Sequence, residues 1–155
     1  MSPAGGRVPR VAESDDAPAI ARLLGQLGYP TTPATMRRRL GPILARPDYH
    51  TLVMEAGGVV IGFIGACLVP SYELDDAYVR VLDLVVDERA RGAGIGSALL
   101  AAVEAWAKRE GARVVVVNAR DEEGFHGAGA SSFYEARGYE RTGARHGKVL
   151  AGPGT

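Results

Sequence analysis

A turn rich in arginine and glycine is the stretch of this sequence whose residue types and spacing best suit chemistry. It covers residues 89–96, RARGAGIG, and stands between an apolar run, residues 81–86, and a stretch of helical periodicity that Gly111 closes. The first N–H groups of a helix lack intrahelical acceptors and carry about half a positive charge, so phosphates bind there. Glycines let a ligand approach those donors, and two arginines add full charges. The turn therefore predicts an anion site.

Two common phosphate motifs do not fit this turn. A Walker P-loop requires Lys followed by Ser or Thr after its last glycine, whereas Ser97-Ala98 follow Gly96 here. A Rossmann fingerprint that starts at Gly92 or Gly94 would lack its final glycine. The ligand of this turn is therefore expected to be neither a mononucleotide held by a P-loop nor a dinucleotide.

Residues 91–96 instead match Arg-x-x-Gly-x-Gly, which resembles the pyrophosphate-binding turn of the GNAT superfamily of acetyl-CoA-dependent N-acetyltransferases. A second stretch, residues 130–139, ASSFYEARGY, is similar to the last helix of that family, where an aromatic-Tyr-Glu run precedes a helix-ending Gly-aromatic pair. The resemblance extends over about residues 8–150. It implies an enzyme that transfers the acetyl group of acetyl-CoA directly to a primary amine of a small molecule or peptide, through a ternary complex.

The resemblance also assigns roles to individual residues. The cofactor-binding residues that it implies are Leu84, Val85, Val86, Arg91, Gly92, Ala93, Gly94, Ile95, Gly96, Ser97 and Asn118. Tyr134 matches the family's general acid, which protonates the departing CoA thiolate; the alternative role is a core aromatic beside Phe133. A main-chain N–H near residues 84–86 is the expected oxyanion donor, so the chemistry requires no nucleophilic side chain.

The sequence defines the base and the acceptor site less closely. An alkyl amine with a pKa near 10.4 needs roughly 4 to 5 kcal/mol to become a free amine at neutral pH. Asp83 and the loop acids Glu73, Asp75 and Asp76 are the candidate bases, and an acidic water channel would serve as well. A buried Asp83 that only caps main-chain groups is the alternative. Glu73, Asp75 and Asp76, in the loop of residues 70–77, are candidate acceptor-binding acids, or alternatively ordinary solvated surface.

Two positions depart from the family's pattern. Family members often carry Asn where this chain has Gly127, and Glu where it has Leu82. The first change removes one contact with CoA, and the second removes a familiar base. A non-catalytic acyl-CoA-binding or regulatory module on the same fold is therefore the second function that the sequence allows.

Composition limits the class of protein. The chain has 155 residues, 46% of them hydrophobic, and 18 basic side chains balance 18 acidic ones. We expect one domain over residues 7–150, flexible ends at 1–6 and 151–155, and an amine as partner rather than nucleic acid or a membrane; a homodimer stays open. Cys67 is the single cysteine and the three histidines are scattered, so we expect no metal. No signal peptide is recognisable, which predicts a cytoplasmic protein.

Periodicity and the resemblance together predict an α/β fold of the α+β type. The expected sheet is mixed and strongly twisted, with six to seven strands and about four flanking helices, in the order strand, two helices, three strands, helix, strand, helix and one or two strands. The predicted strands cover residues 7–11, 50–56, 59–69, 78–86 and 113–118, with the last one or two within 139–150. The four valines within 113–118 predict a central parallel strand, and the resemblance implies that it splays from the strand before it. Gly57-Gly58 predicts a tight hairpin turn, and Pro42 the end of the second helix.

Overall fold

The computed structural model describes residues 7–118 and 130–152. The chain divides into two compact units, residues 1–117 and residues 118–155. The first unit contains the sheet and three α-helices, and the described part of the second unit contains one α-helix. The expectation of a single domain over residues 7–150 stays a prediction.

The first unit is built on a five-stranded mixed sheet. Its strands are β1 (Arg10–Val11), β2 (Tyr49–Ala56), β3 (Val59–Val69), β4 (Tyr78–Val86) and β5 (Val115–Val117), and they lie side by side in that order. The first four form antiparallel pairs, whereas β5 runs parallel to β4. The predicted parallel strand is confirmed, but it stands at one end of the five strands instead of at the centre.

The hairpin between β2 and β3 has the predicted tight turn. Gly57 and Gly58 both have positive φ angles, 58° and 79°, as a two-residue hairpin turn requires. The apolar residues on either side of this turn therefore form the paired strands β2 and β3. Among the described residues, no helix has the length and apolar character needed to cross a membrane.

Helices cover both faces of the sheet. They are α1 (Ala17–Gln26), α2 (Pro33–Leu44) and α3 (Ile95–Arg109). Side chains of α1 and α2, such as Ile20 and Leu40, share one buried cluster with Phe63 of β3 and Val85 of β4. Gly62 points to the other face, because neighbouring strand residues alternate, and α3 packs there against β2, β3 and β4.

The helix ends follow the capping residues in the sequence, with one correction. Thr32 begins α2, since its Oγ1 accepts the Thr35 N–H at 3.1 Å. The prediction that Pro42 ends α2 is wrong, because the helix continues to Leu44 with Pro42 inside it. A proline this close to a helix end removes only one hydrogen bond, and the last turn still closes through the Ala45 N–H, which donates to Gly41 O at 3.2 Å.

The described part of the second unit centres on α4 (Ala130–Glu135). Gly138, with a φ of 90°, ends this segment, and the Tyr139 N–H donates back to Tyr134 O at 3.1 Å. The strands predicted within residues 139–150 are not confirmed, because this range carries no strand. Residues 140–150 are exposed throughout, and glycines and charges interrupt every apolar run that a sheet face would need to bury.

Candidate active site

Asp87, the residue that follows β4, anchors the glycine turn. Its carboxylate accepts the Arg89 N–H at 3.0 Å and pairs with the guanidinium of Arg22 in α1. The neighbouring Glu88 N–H donates to Gln26 Oε1, also of α1, at 3.0 Å. Asp87 is 7% exposed, and the main-chain donor of Arg89, together with Arg22, holds the pKa of its carboxyl below the usual range. The two residues that precede the turn therefore bind it to α1.

Two glycines give the turn its shape. Gly92 and Gly94 have φ angles of 82° and 79°, a region that L side chains rarely enter. Gly94 caps α3, whose first helical hydrogen bond runs from the Ala98 N–H to Gly94 O at 3.0 Å. A Cβ at Gly92 would meet no atom within 4 Å, so open space adjoins the main chain at this point. The turn thus presents a helix N-terminus next to room for a ligand.

The two arginines of the turn are exposed. Arg91 Nε donates to Val86 O, at the end of β4, at 3.3 Å. This bond holds Arg91 beside the turn, whereas the main chain of Arg89 is held by the carboxylate of Asp87. Both positive charges therefore lie within the loop that leads into α3, as an anion site requires.

The pairing of β4 with β5 stops partway along β4. The last parallel pair is Val81 with Val117, so residues 82–86 of β4 have no partner in β5. β5 ends at Val117, and the expected splaying of the fourth and fifth strands stays a prediction. The end of β5 leaves one edge of β4 without a neighbouring strand of the described sheet, next to the glycine turn.

The main chain of two predicted residues faces this edge. The Asp87 N–H donates to Ile61 O at 2.8 Å, which makes these residues a hydrogen-bonded pair across β3 and β4. Such pairs alternate with non-hydrogen-bonded pairs in an antiparallel ladder. The main chain of Val85 therefore faces β3, and that of Leu84 and Val86 faces the edge that β5 leaves open.

A β-bulge interrupts β4 where its pairing with β5 ends. Asp83 lies opposite Gly65 and Val81 lies opposite Ala66, which leaves Leu82 as the extra residue. A bulge of this kind bends the strand and redirects its side chains, and Leu82 is 47% exposed.

Asp83 lies on the sheet face that α1 and α2 cover. It stands two residues before Val85, on the same side of the strand, and Val85 belongs to the buried cluster under these helices. Asp83 itself is half-buried. Its cross-strand partner Gly65 has no atom within 4 Å of the place where a Cβ would stand. The described residues therefore leave space beside Asp83 on this face.

The other predicted cofactor residues differ in what they offer. The turn residues are contiguous, running as Arg91, Gly92, Ala93, Gly94, Ile95, Gly96 and Ser97, with Ile95 and Gly96 buried. Val85 is 3% exposed and its main chain faces β3, so neither its side chain nor its main-chain groups face the open edge of β4. Asn118 is exposed and is the first residue of the second unit.

The three predicted acceptor-binding acids lie at the far end of β4 from the glycine turn, because their loop precedes Tyr78 and the turn follows Val86. Asp76 pairs with Arg113 Nε at 3.1 Å. Glu73 and Asp75 are exposed, and neither makes an ion pair with a described residue. The loop therefore splits into one structural carboxylate and two that face solvent.

In the second unit, Tyr134 of α4 belongs to a small aromatic cluster. Its ring centroid lies 5.2 Å from that of Phe133 and 5.7 Å from that of Tyr139, with edge-on geometry in both cases. The guanidinium of Arg137 stacks over Phe133 at 3.7 Å from its centroid. Gly127, the other departure that we noted, falls outside the described residues.

Cys67, the single cysteine, and metal-binding residues offer no further catalytic centre in the described ranges. Cys67 is 8% exposed, and burial raises the pKa of its thiol, which keeps the thiol protonated and unreactive. Residues 7–118 and 130–152 contain no cluster of three His, Cys, Asp or Glu side chains that would suit a metal ion.

Sequence reasoning missed Asp87 and its partners in α1. An acid placed directly between an apolar strand and a glycine turn was the available signal, because a charge at the end of a buried strand needs partners. The two partners are Arg22 and Gln26, which lie four residues apart on one face of α1, and that spacing was also visible.

Comparison with known proteins matches most of this chain to one protein family. Residues 17–139 match the model of the "Acetyltransferase (GNAT) family". A mouse protein described as probable N-acetyltransferase family 8 member 5 is 34% identical over 91 residues, which are 59% of this chain and 38% of that protein. The chain thus spans well under half the length of this relative.

Two solved structures have a similar fold. A GNAT family acetyltransferase from Staphylococcus aureus superposes with a TM-score of 0.78 and 26% identity, covering 97% of this chain and 100% of the other. AAC(6′)-Iy, in complex with the bisubstrate analogue CoA-S-monomethyl-acetylneamine, gives a TM-score of 0.78 at 20% identity, over 95% of this chain and 99% of the other. At that lower identity the likeness is one of fold alone.

Proposed function

Because the chain belongs to the GNAT acetyltransferase family, we propose that it transfers the acetyl group of acetyl-CoA directly to a primary amine of a small molecule or peptide, through a ternary complex. The observation that carries this proposal is the turn after β4. There, two glycines of positive φ, a helix N-terminus and two arginines come together beside an unpaired strand edge. An anionic cofactor with a long extended arm suits these two features.

The pyrophosphate of CoA is proposed to bind the turn. The N–H groups at the start of α3 and the charges of Arg89 and Arg91 would bind the phosphate oxygens. Gly92 leaves the main chain accessible, as its open surroundings allow. AAC(6′)-Iy, which shares the fold, binds a CoA analogue, and this supports the assignment by analogy.

The pantetheine arm is proposed to lie along the open edge of β4. Leu84 and Val86 direct their main-chain groups to this edge. The amide groups of the arm would hydrogen-bond to β4 beyond Val81, where the pairing of β4 with β5 ends. A main-chain N–H in this segment would also stabilise the oxyanion that forms when the amine attacks the thioester. Val85, whose main chain faces β3, would support the segment from behind.

The proton transfers are assigned to two side chains. Asp83, beside the bulge, is proposed to accept the proton that the amine loses, directly or through water. Tyr134 is proposed to protonate the departing thiolate, and this role rests on its match to the family's sequence pattern. Glu73 and Asp75 are proposed to attract the ammonium group of the acceptor at long range, with Asp76 held by Arg113.

A non-catalytic acyl-CoA-binding module is the alternative from the sequence analysis. The turn alone would serve such a module equally well. The space beside Asp83 favours the enzyme, because a module that only binds acyl-CoA needs no access for a second substrate. Release of CoA thiol in the presence of an amine distinguishes the two.

Cofactor binding is tested by a pair of matched glycine variants. Saturating acetyl-CoA should raise the melting temperature of the wild-type protein by several degrees, because a ligand at 100 times its Kd adds about 2.7 kcal/mol of stability. Gly92 and Gly111 share a φ of 82° and open surroundings, but they stand at opposite ends of α3. Gly92→Val should lose the shift, and Gly111→Val, equally strained, should keep it. A wild-type melting temperature that acetyl-CoA does not move would refute the proposal.

A further inference from the structure

We propose that the acceptor is a small amine that also carries an anionic group, and that the sheet face beside the bulge selects it. Asp83 would bind the ammonium end, Arg80 the anionic end, and Gly65 would provide the room between them. This inference rests on the proposed acetyl transfer and names its substrate class.

Gly65, which lies opposite Asp83 next to the bulge of β4, is the first observation, because neither a positive φ nor a close neighbour requires a glycine there. It is not among the described glycines with positive φ, and a Cβ would meet no atom within 4 Å. Gly62, three residues earlier in β3, is the opposite case, since a Cβ there would stand 3.0 Å from Ile95 Cγ2 and 3.1 Å from Leu99 Cδ1. A glycine in a strand costs stability and often marks a bulge or the close approach of a ligand or another main chain. Gly65 fits that description.

The side chains around Gly65 form a polar row across the sheet. Thr51 of β2 and Asp83 of β4 are its direct cross-strand partners, so all three lie on one face. Two residues further along β3 on the same face, Cys67 lies opposite Arg80. The row therefore places a carboxylate on one side of the open space and a guanidinium next to it.

Arg80 is available for a ligand. It is exposed and makes no hydrogen bond or ion pair within the described ranges 7–118 and 130–152. Its neighbour Cys67 is 8% exposed and remains a thiol, since burial raises its pKa, so Cys67 itself adds no charge between Asp83 and Arg80. An exposed arginine beside a neutral thiol is a suitable anchor for a carboxylate or phosphate.

The spacing of the two charges sets the size of the ligand. Gly65 and Cys67 are two residues apart in one strand, which separates the rows that hold Asp83 and Arg80 by about 7 Å. A dipeptide spans a similar distance from its amine to its carboxylate, since two extended residues cover about 7 Å. The charges thus complement a zwitterion of dipeptide length.

The chemistry favours an α-amine. An α-amino group has a pKa of about 7.7 to 8.0, roughly one unit above neutral pH, whereas a lysine-like amine lies more than three units above. Leu82, next to Asp83, is aliphatic and gives no help with deprotonation. An α-amine therefore asks less of its base than a lysine-like amine does. The ammonium group first passes one proton to Asp83 or water, and the free amine nitrogen then bonds to the acetyl carbon as the C–S bond breaks. The thiolate takes a proton from Tyr134, the second amine proton replaces it, and CoA leaves as the thiol.

The test compares glycylglycine with its methyl ester and with spermidine, by release of CoA thiol near pH 8. The dipeptide should exceed the ester in kcat/KM by roughly tenfold, the effect of one charged hydrogen bond. Arg80→Gln should remove that preference. Lys108→Gln, which removes an equal charge from the exposed end of α3, should keep it.

The role of Gly65 has a separate readout. Gly65→Val should lower kcat/KM for glycylglycine by roughly tenfold or more while acetyl-CoA binding is unchanged, because the side chain fills the acceptor's space. Gly65→Ala should leave the melting temperature equal or higher, since alanine is better tolerated than glycine in a strand. A lower melting temperature for Gly65→Ala would make the glycine structural and overturn its role in specificity.

Each remaining outcome decides between the two proposals. Equal rates with the dipeptide and its ester, or a higher rate with spermidine, overturn the zwitterionic acceptor. No thiol release with any of the three amines, while acetyl-CoA still raises the melting temperature, overturns the acceptor class and leaves cofactor binding intact. A protein that acetyl-CoA does not stabilise removes the proposed function itself.

Discussion

Tyr134 is the side chain on which the proposed protonation of CoA depends. Replacing it with phenylalanine keeps the edge-on contacts with the rings of Phe133 and Tyr139 and removes only the hydroxyl. We expect kcat to fall by roughly 10²-fold or more, the usual contribution of a general acid. Acetyl-CoA affinity and melting temperature should stay near the wild-type values, and both are measured alongside kcat.

The neighbouring Tyr139→Phe is the control, because it removes a hydroxyl from the same aromatic cluster. Its kcat should stay within a few-fold of wild type. If Tyr134→Phe turns over as fast as the wild-type protein, water is the acid and Tyr134 is a packing residue. If the variant loses stability and cofactor binding together, the hydroxyl has a structural role.

Gly62 sets how closely α3 approaches the sheet. A Cβ at this position would stand 3.0 Å from Ile95 Cγ2, 3.1 Å from Leu99 Cδ1 and 3.3 Å from Val85 O. Ile95 is the first residue of α3, so an added methyl group pushes the helix N-terminus away from β4. Gly62→Ala should lower the free energy of unfolding by about 1 to 3 kcal/mol and raise the KM for acetyl-CoA.

Gly65→Ala adds the same methyl group to the same strand without a clash, and its KM for acetyl-CoA should match that of the wild-type protein. The KM for the amine separates the two positions, because Gly62→Ala should leave it unchanged. An unaltered KM for acetyl-CoA in Gly62→Ala would mean that α3 adjusts without moving the turn.

For the molecule as a whole, two buried carboxylates link stability to pH. Hydrogen bonds from Arg10 lower the pKa of Asp16, and the Arg89 N–H lowers that of Asp87. Since folding lowers both pKa values, this stability is complete above the unfolded value near 3.9 and is lost as pH falls through the folded values. The melting temperature should therefore be steady from about pH 5 to 7 and fall below about pH 4.

Asp16→Asn should cost about 1 to 3 kcal/mol at pH 7, because it leaves the Arg10 guanidinium with a weaker partner. The difference from wild type should shrink in strongly acidic solution, where Asp16 itself is protonated. Asp75→Asn, on an exposed loop residue, should change little at either pH. Urea unfolding of the three proteins at both pH values checks this, and a pH-independent difference would contradict the linkage.

The sequence predicted those features that depend on local chemistry. Gly57 and Gly58 predicted the hairpin, the valines predicted the parallel strand, and residues 89–96 predicted a turn that leads into a helix. Features that depend on partners far along the chain were less accessible. The tie between Asp87 and Arg22 joins residues 65 positions apart, so the need of Asp87 for a partner was visible in the sequence but the identity of that partner was not.

The strands expected within residues 139–150 show a limit of prediction by family resemblance. The resemblance placed them within residues 139–150, although this stretch has the exposed, glycine-interrupted composition of an irregular segment. A family pattern predicts an element by analogy, whereas local composition reports what a segment can bury. Where the two disagreed, as after Tyr139, the structure follows composition.

The β-bulge at Leu82 also fixes which insertions and deletions this fold tolerates during evolution. Residues 83–86 form a short strand segment between the bulge and the glycine turn, and successive residues in it face opposite sides. One residue gained or lost there would exchange the main-chain groups that face β3 with those that face the open edge. Only insertions or deletions of two residues preserve this alternation, and each lengthens or shortens the segment by about 7 Å. The length of this segment therefore changes in steps of two residues, because the bulge at one end and the anchored glycine turn at the other keep their positions.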